Sequence, residues 1–341
     1  MKLPDDLLER PAEEAVRRVA LRELERAESA RAALVAGGDP EALHDFRVAL
    51  RRLRSLLRAF REEAGEPLGK KLRRQLARLA ADTNPGRDAE VAVAWVVELG
   101  AEPRPVEKRG LEWLRARLEK RRDEAYRKVE EEIVAEFGEL AARLGERLSR
   151  YRVELRLDGE PAPPPRYAAA LADEVERHAF ELVAALAKVA SVADEREGHR
   201  ARIEAKRLRY LLEPAATLLD GAKATIERLK DLQDRLGELH DLQLLAVEIA
   251  QAVAEAESER ARRVAQAALA GDPEGRRERA EMRRSERPGL LALARRVAVR
   301  RDAIFGSFES DWLLPGAQAP AALAGEIARL LARLRRSAPE A

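Results

Sequence analysis

Five cationic side chains, His44, Arg47, Arg51, Arg54 and Arg58, follow one another at intervals of three, four, three and four residues. On an α-helix that spacing puts all five on one face along about 20 Å. Phe46, Leu50, Leu53, Leu57 and Phe60 keep the same spacing one residue out of phase, about 100° round the helix, so an apolar stripe runs beside the basic one. Further along the chain, His199, Arg202, Lys206 and Arg209 stand beside Ala201, Ala205, Leu208 and Leu212 in the same way. The shared frame is His-x-x-Arg-x-x-Ala/Leu-basic-Arg-Leu-Arg, which adds Arg52 and Arg207. At the position of Arg58 the second copy carries Glu213, so its stripe is shorter. Duplication of a helical unit accounts for the two copies.

Like charges four residues apart on a helix repel by a few tenths of a kcal/mol per pair, so a stripe of this kind calls for an anion to compensate it. Guanidinium forks match phosphate oxygens in bidentate geometry, and only ten of the 64 Lys and Arg residues are Lys. Cations spread along a rigid helix suit a long, flexible polyanion, whereas a small phosphorylated metabolite would need fewer groups converging on a point. The alternative is a solvated face whose heads pair with acids on neighbouring helices. Against it, His44 to Arg61 holds six Arg and one acid, and Lys70, Lys71, Arg73, Arg74 and Arg78 follow with no acid among them. Acids gather elsewhere, as at Glu130, Glu131, Glu132, Glu136 and Glu139. Lys71, Arg74 and Arg78 therefore join the candidate binding residues by periodicity.

His44 and His199 each open a basic stripe and are expected to supply hydrogen bonds and pH-dependent charge to the same anion. His240 adjoins Asp241, in a turn that matches Arg87-Asp88 of the first half, and His178 reads as structural. No histidine pairs with another at i+3 or i+4, HExxH is absent, and with no cysteine there is no thiolate site, so neither a metal nor another cofactor is expected. GxGxxG and GxSxG are absent, and Gly65-Glu66-Pro67-Leu68-Gly69-Lys70-Lys71 misses the phosphate-loop pattern in spacing and in its final residue. A non-enzymatic protein is expected.

The elements that must position these stripes are helices. Apolar residues recur at three and four positions almost throughout the 341 residues, 46% of which are apolar and only 4% aromatic, so the fold class is all-α. Helices are predicted over about 12–36, from Asp39-Pro40-Glu41 to about 63, from Gly65-Glu66-Pro67 to about 81, over 89–99 after the Thr83-Asn84-Pro85-Gly86 break, and over 105–150. In the second half they are predicted over 167–190, 195–219, from a turn near Gly221 to 236 with Gly237 before the next, and over 320–336, with interruptions at Asp272-Pro273 and Pro288-Gly289. The Pro-rich segment 161–165, within the breaker cluster that begins at Asp158, divides an N-terminal helical bundle (1–160) from a C-terminal one (166–310), with an extension at 311–341. Zero Cys, the absence of an apolar leader and the lack of about 18 uncharged apolar residues in a row lead to the expectation of a cytoplasmic chain that does not enter a membrane. With 64 basic against 62 acidic residues the formal net charge is only +2, so polyanion binding rests on where the charges sit, not on their sum.

His44-x-x-Arg47-x-x-x-Arg51-Arg52-Leu53-Arg54, Asn84-Pro85-Gly86-Arg87-Asp88, His199-x-x-Arg202-x-x-x-Lys206-Arg207-Leu208-Arg209-Tyr210 and the segment Leu232 to Asp241, taken in that order, resemble the CHAD domain, the conserved histidine α-helical domain. The resemblance spans about residues 10 to 310. It implies two four-helix-bundle-like repeats related by a pseudo-twofold axis around a basic central pore or groove, and it implies binding of inorganic polyphosphate and association with polyphosphate granules. Such domains often stand beside a CYTH triphosphate-tunnel domain, for which this chain has no room, so a standalone version is expected. The residues carried over are His44, Arg47, Arg51, Arg52, Arg54, His199, Arg202, Lys206, Arg207 and Arg209; Arg58, Arg87 and His240 join them from the stripes and turns. Nucleic acid is the alternative polyanion, and a His-dependent polyphosphate hydrolase or phosphotransferase is the enzymatic alternative. Base recognition usually adds aromatic platforms, while Phe46 and Phe60 belong here to the apolar stripe.

Overall fold

A chain so rich in Ala, Leu, Arg and Glu loses little side-chain freedom in a helix, and helix is what it forms. The computed structural model describes residues 2–36, 41–63, 69–150, 164–270 and 275–337. The helix starts predicted at Asp39-Pro40 and Gly65-Glu66-Pro67, the interruption at Asp272-Pro273 and the linker up to Pro163 lie outside the described residues. The first half runs α1 (Ala12–Ala36), α2 (Ala42–Ala59), α3 (Lys70–Asp82), α4 (Asn84–Leu99) and α5 (Pro105–Lys128), then a π-helical turn (Val129–Ile133) and α6 (Val134–Ser149). The second runs α7 (Tyr167–Leu186), α8 (Glu195–Leu212), α9 (Ala222–Leu269), α10 (Arg276–Arg283) and α11 (Arg287–Phe308), a π-helical turn (Glu309–Leu313) and α12 (Gln318–Arg336). No strand occurs among the described residues, and the all-α class holds.

The order of neighbours repeats. α1 packs on α2 and α6, and α7 packs on α8 and α12; α4 lies along α5, and α9 along α11. The two starts are tied by a short antiparallel bridge in which Ala12 N donates to Pro165 O and Tyr167 N to Arg10 O, both at 2.8 Å. Where α5 crosses α11, Gly110 and Gly289 meet, and a Cβ on Gly289 would lie 2.1 Å from Glu107 O. Reciprocal ion pairs flank that crossing: Arg109 donates to Glu286 at 3.0 Å and Arg296 to Glu107 at 2.7 Å, with both carboxylates buried.

Apolar burial does not follow the halves. One cluster joins Val16, Phe46, Leu50, Phe60 and Phe137 to Tyr167, Leu171, Leu208, Leu232 and Phe308, and the other joins Trp95, Leu114 and Leu118 to Leu245, Ile249 and Leu293. Each core therefore holds both repeats together. The segment after residue 310 contributes too: α12 buries Leu323, Ile327, Leu330 and Leu334 against α7 and α9, in the relation α6 has to α1. At about 1.5–3 kcal/mol per large apolar side chain, this face adds several kcal/mol.

Four boundaries differ from expectation. α8 stops at Leu212, not 219, because Pro214 cannot donate a helical hydrogen bond. α4 begins at Asn84, so the break after α3 is the single residue Thr83, and Pro85 sits in the first turn, where its missing N–H costs nothing. α9 runs unbroken through Gly237, and Pro288-Gly289 starts α11 instead of interrupting the chain.

Candidate polyanion-binding cleft

α2 and α8 bury their apolar stripes in the shared core, and this alone aims the neighbouring basic stripes into the space between them. Phe46, Leu50, Leu53, Ala201, Ala205 and Leu208 are all completely or nearly completely buried. The space is a cleft of about 530 Å³. α2 lines it with His44, Arg47, Arg51, Arg54, Ser55 and Arg58; α8 with His199, Arg202, Lys206, Arg207 and Tyr210; α4 with Asn84, Arg87 and Asp88; α7 with Arg177 and His178; and α9 with His240 and Asp241. Nine Arg and Lys side chains thus face two carboxylates, Asp88 and Asp241.

Three of the nine are paired with acids on their own helix: Arg87 donates to Glu90 at 2.6 Å, Arg177 to Glu174, and Arg207 to Glu204. Arg47, Arg51, Arg54, Arg58, Arg202 and Lys206 have no described carboxylate within ion-pairing distance. Arg47 is 4% exposed and donates to Thr83 O instead, which ties α2 to the break before α4. Burial, followed by the charge of Arg51, lowers the Arg47 pKa to about 10. Lys206 is lowered further, to about 8, by burial and then by Arg202, Arg51, Arg54 and Arg209. The fold holds these charges together against their own repulsion.

At one end of the cleft the His199 and His240 rings lie 4.4 Å apart, centroid to centroid. Burial, then His199, Arg202 and Lys206, hold His240 down to about 4, and burial with Arg202 and Lys206 lowers His199. His240 therefore rests as the neutral imidazole at neutral pH and does not match the charge of Arg87. Beside them burial and the nearby Asp88 raise the Asp241 carboxyl, against the pull of Arg202 and Arg87. Among the described residues no group of three His, Asp or Glu is arranged to hold a metal ion. Gly237, which was expected to end a helix, lies inside α9 at this end of the cleft, where a Cβ would stand 3.4 Å from Arg202 Nε, an ordinary contact distance.

His178 is structural, as its isolation in the sequence suggests, and it supports the cleft from behind. Its Nε2 accepts from Arg177 at 2.9 Å, and since a guanidinium only donates, the ring proton sits on Nδ1, 2.5 Å from Glu204 Oε2. Burial pushes the Glu204 carboxyl up, but the His178 hydrogen bond and the charges of Arg207 and Arg177 outweigh it and leave it lowered. Glu204 in turn holds Arg207 at the cleft.

Five of the predicted residues lie elsewhere. Arg52 turns to Glu213 at 2.8 Å and Arg209 to the same carboxylate at 3.5 Å, on the far side of Tyr210, whose ring they flank at 5.8 and 5.1 Å. Both are off the cleft because Glu213, standing in the place of Arg58, draws them away. Arg78 is held by Glu136 and, at 3.8 Å, by Asp82. Lys71 is exposed on α3 outside the cleft, and Arg74 faces a separate groove between α2 and α3. Arg177, Asn84 and Tyr210 line the cleft without having been singled out. Arg177 was hidden by the mixed charges of α7, whereas Tyr210 falls four residues after Lys206, on the stripe itself.

A family model of the CHAD domain matches residues 18–250. The chain belongs to the CHAD domain family. Its fold is similar to that of the CHAD domain from the plant Ricinus communis, with 22% sequence identity, 96% of this chain and 94% of that chain covered, and a TM-score of 0.56. It is also similar to PptA from Streptomyces chartreusis, at 15% identity with 94% and 98% covered and a TM-score of 0.54. No curated protein matches the chain. Among the described residues no helix of this CHAD chain is long and apolar enough to cross a membrane.

Proposed function

We propose that the protein binds inorganic polyphosphate in the cleft between α2 and α8, without transforming it, and that this binding places it on polyphosphate granules. The observation that carries the proposal is six Arg and Lys side chains in one cleft, none with a described carboxylate within ion-pairing distance. A folded protein keeps such charges together only at a cost to its own stability, which a bound polyanion returns. Their arrangement along two facing helices suits a chain of repeating anions more than one small phosphate. CHAD membership agrees with this ligand. A single-stranded nucleic acid would gain from aromatic platforms, but Phe46 and Phe60 are fully buried and Tyr210 is the aromatic ring at the cleft wall.

The test is competition among long-chain polyphosphate, RNA and duplex DNA at matched phosphate concentration. Polyphosphate should displace both nucleic acids, and preference for RNA or DNA would overturn the proposal. A fluorescent fusion should gather on granules in cells that store polyphosphate and disperse in cells that do not. One observation favours a second, hydrolytic reading: His199, His240, Asp88 and Asp241 meet at one end of the cleft, where general acid–base chemistry would have its groups. Shortening of labelled polyphosphate with divalent metals, abolished by Asp241→Asn, would make the protein an enzyme.

A further inference from the structure

Beside the cleft a groove of about 440 Å³ opens between α2 and α3. Arg54, Arg58 and Arg61 line one wall and Lys70, Arg73 and Arg74 the other, over a floor that includes Leu57 and Leu76, and no acidic residue lines it among the described residues. Arg54 and Arg58 also line the central cleft, so the two cavities share a wall of guanidinium groups. Three features show the groove to be uncompensated. Arg73 Nη1 is buried without a hydrogen-bond partner among the described residues. The first turn of α3 contains Lys70 and no acid, which sets a cation against the positive end of the helix dipole. Burial and then the charge of Arg58 lower the Arg54 pKa.

Among the described residues the second repeat has no counterpart. Glu213 replaces Arg58 and takes up Arg52 and Arg209, and in the first turns of α9 Arg228 is bound to Glu326 at 2.9 Å. Among the described residues, the unpaired basic surface therefore continues from the cleft on the side of α3.

We propose that the α2–α3 groove is a second subsite for the same polyanion, through which a chain longer than the cleft leaves it across Arg54 and Arg58 on the N-terminal side. This deepens the polyphosphate reading and rests on it. The subsite makes affinity depend on chain length: a short oligomer fills the cleft, and only a longer one reaches Arg73 and Arg74.

The experiment is calorimetric titration of tripolyphosphate and long-chain polyphosphate into the parent protein, an Arg73→Gln/Arg74→Gln variant and an Arg51→Gln/Lys206→Gln variant, each checked for an intact melting transition. A Lys70→Glu variant, altered at an exposed position, repeats the groove test independently. The groove variants should bind tripolyphosphate as the parent does and long chains about tenfold more weakly. Losing two contacts should also reduce the salt slope for long chains by about 1.4. The cleft variant should lose both ligands. Long-chain affinity equal to the parent's in both groove variants overturns the subsite alone; a parent that binds neither ligand overturns the functional reading and the subsite with it.

Discussion

Replacing Lys206 by Met should make the ligand-free protein more stable and the complex weaker. Lys206 is charged at pH 7 in both the folded and unfolded chain, but its pKa falls from 10.5 to about 8 on folding, through burial and the nearby Arg202, Arg51, Arg54 and Arg209. A shift of that size corresponds to ~3 kcal/mol of opposition to the charge. Discounted for the water that still reaches the ammonium, relief on its removal is ~1–2 kcal/mol. Met keeps the apolar stem and fills the same space, so Lys206→Met should raise Tm by a few degrees. Affinity for polyphosphate should fall about five- to tenfold, as one phosphate loses its partner. Between pH 8 and 10.5 the unfolded chain holds more protons than the folded one, so the parent should gain stability as pH rises through that window, and the variant should gain less. The assay is thermal melting with and without polyphosphate, paired with calorimetric titration. A lower Tm with unchanged affinity would refute the reasoning and make Lys206 a structural residue.

His240, held down to about 4 in the fold against 6.5 for a free imidazole, should destabilise the ligand-free protein as pH falls from 6.5 towards 4; urea titrations of the parent and His240→Gln should diverge in that range and agree at pH 8. Glu204→Leu removes the carboxylate shared by His178 and Arg207, and should cost about 3 kcal/mol of stability and detach Arg207 from its place in the cleft, read as a loss of polyphosphate affinity in the folded fraction. Gly289→Ala drives a methyl group to within 2.1 Å of Glu107 O and should lower stability by about 1–3 kcal/mol with no change in affinity once folded, measured by chemical denaturation and titration.

The helices and the basic face of α2 were legible because both rest on one periodicity: if Phe46, Leu50 and Leu53 face the core, Arg47, Arg51 and Arg54 must face about 100° away. The same rule found His199, Arg202 and Lys206. It failed at Arg209, which keeps the spacing but follows Glu213, and at Arg78, which is claimed by Glu136 from a helix more than fifty residues away in sequence. Local spacing says which face a side chain takes and nothing about the acids that tertiary packing brings to it. Gly237 and Gly289 misled in the opposite sense. Glycine reads as punctuation in a sequence, but here one lies inside the unbroken α9 beside Arg202 and the other allows two helices to touch. The mixing of both repeats in each apolar cluster was equally invisible, because amphipathic stripes reveal that a face is buried and not against which partner.

The central claim is that the unpaired charges between α2 and α8 bind polyphosphate. Its most direct measurement is titration of long-chain polyphosphate into the parent and an Arg51→Glu/Lys206→Glu variant across about 50–200 mM salt. The parent should bind tightly, with affinity that falls steeply with salt, and the variant should bind at least about a hundredfold more weakly with a shallower slope. Equal affinity and equal slope in the two proteins would contradict that claim.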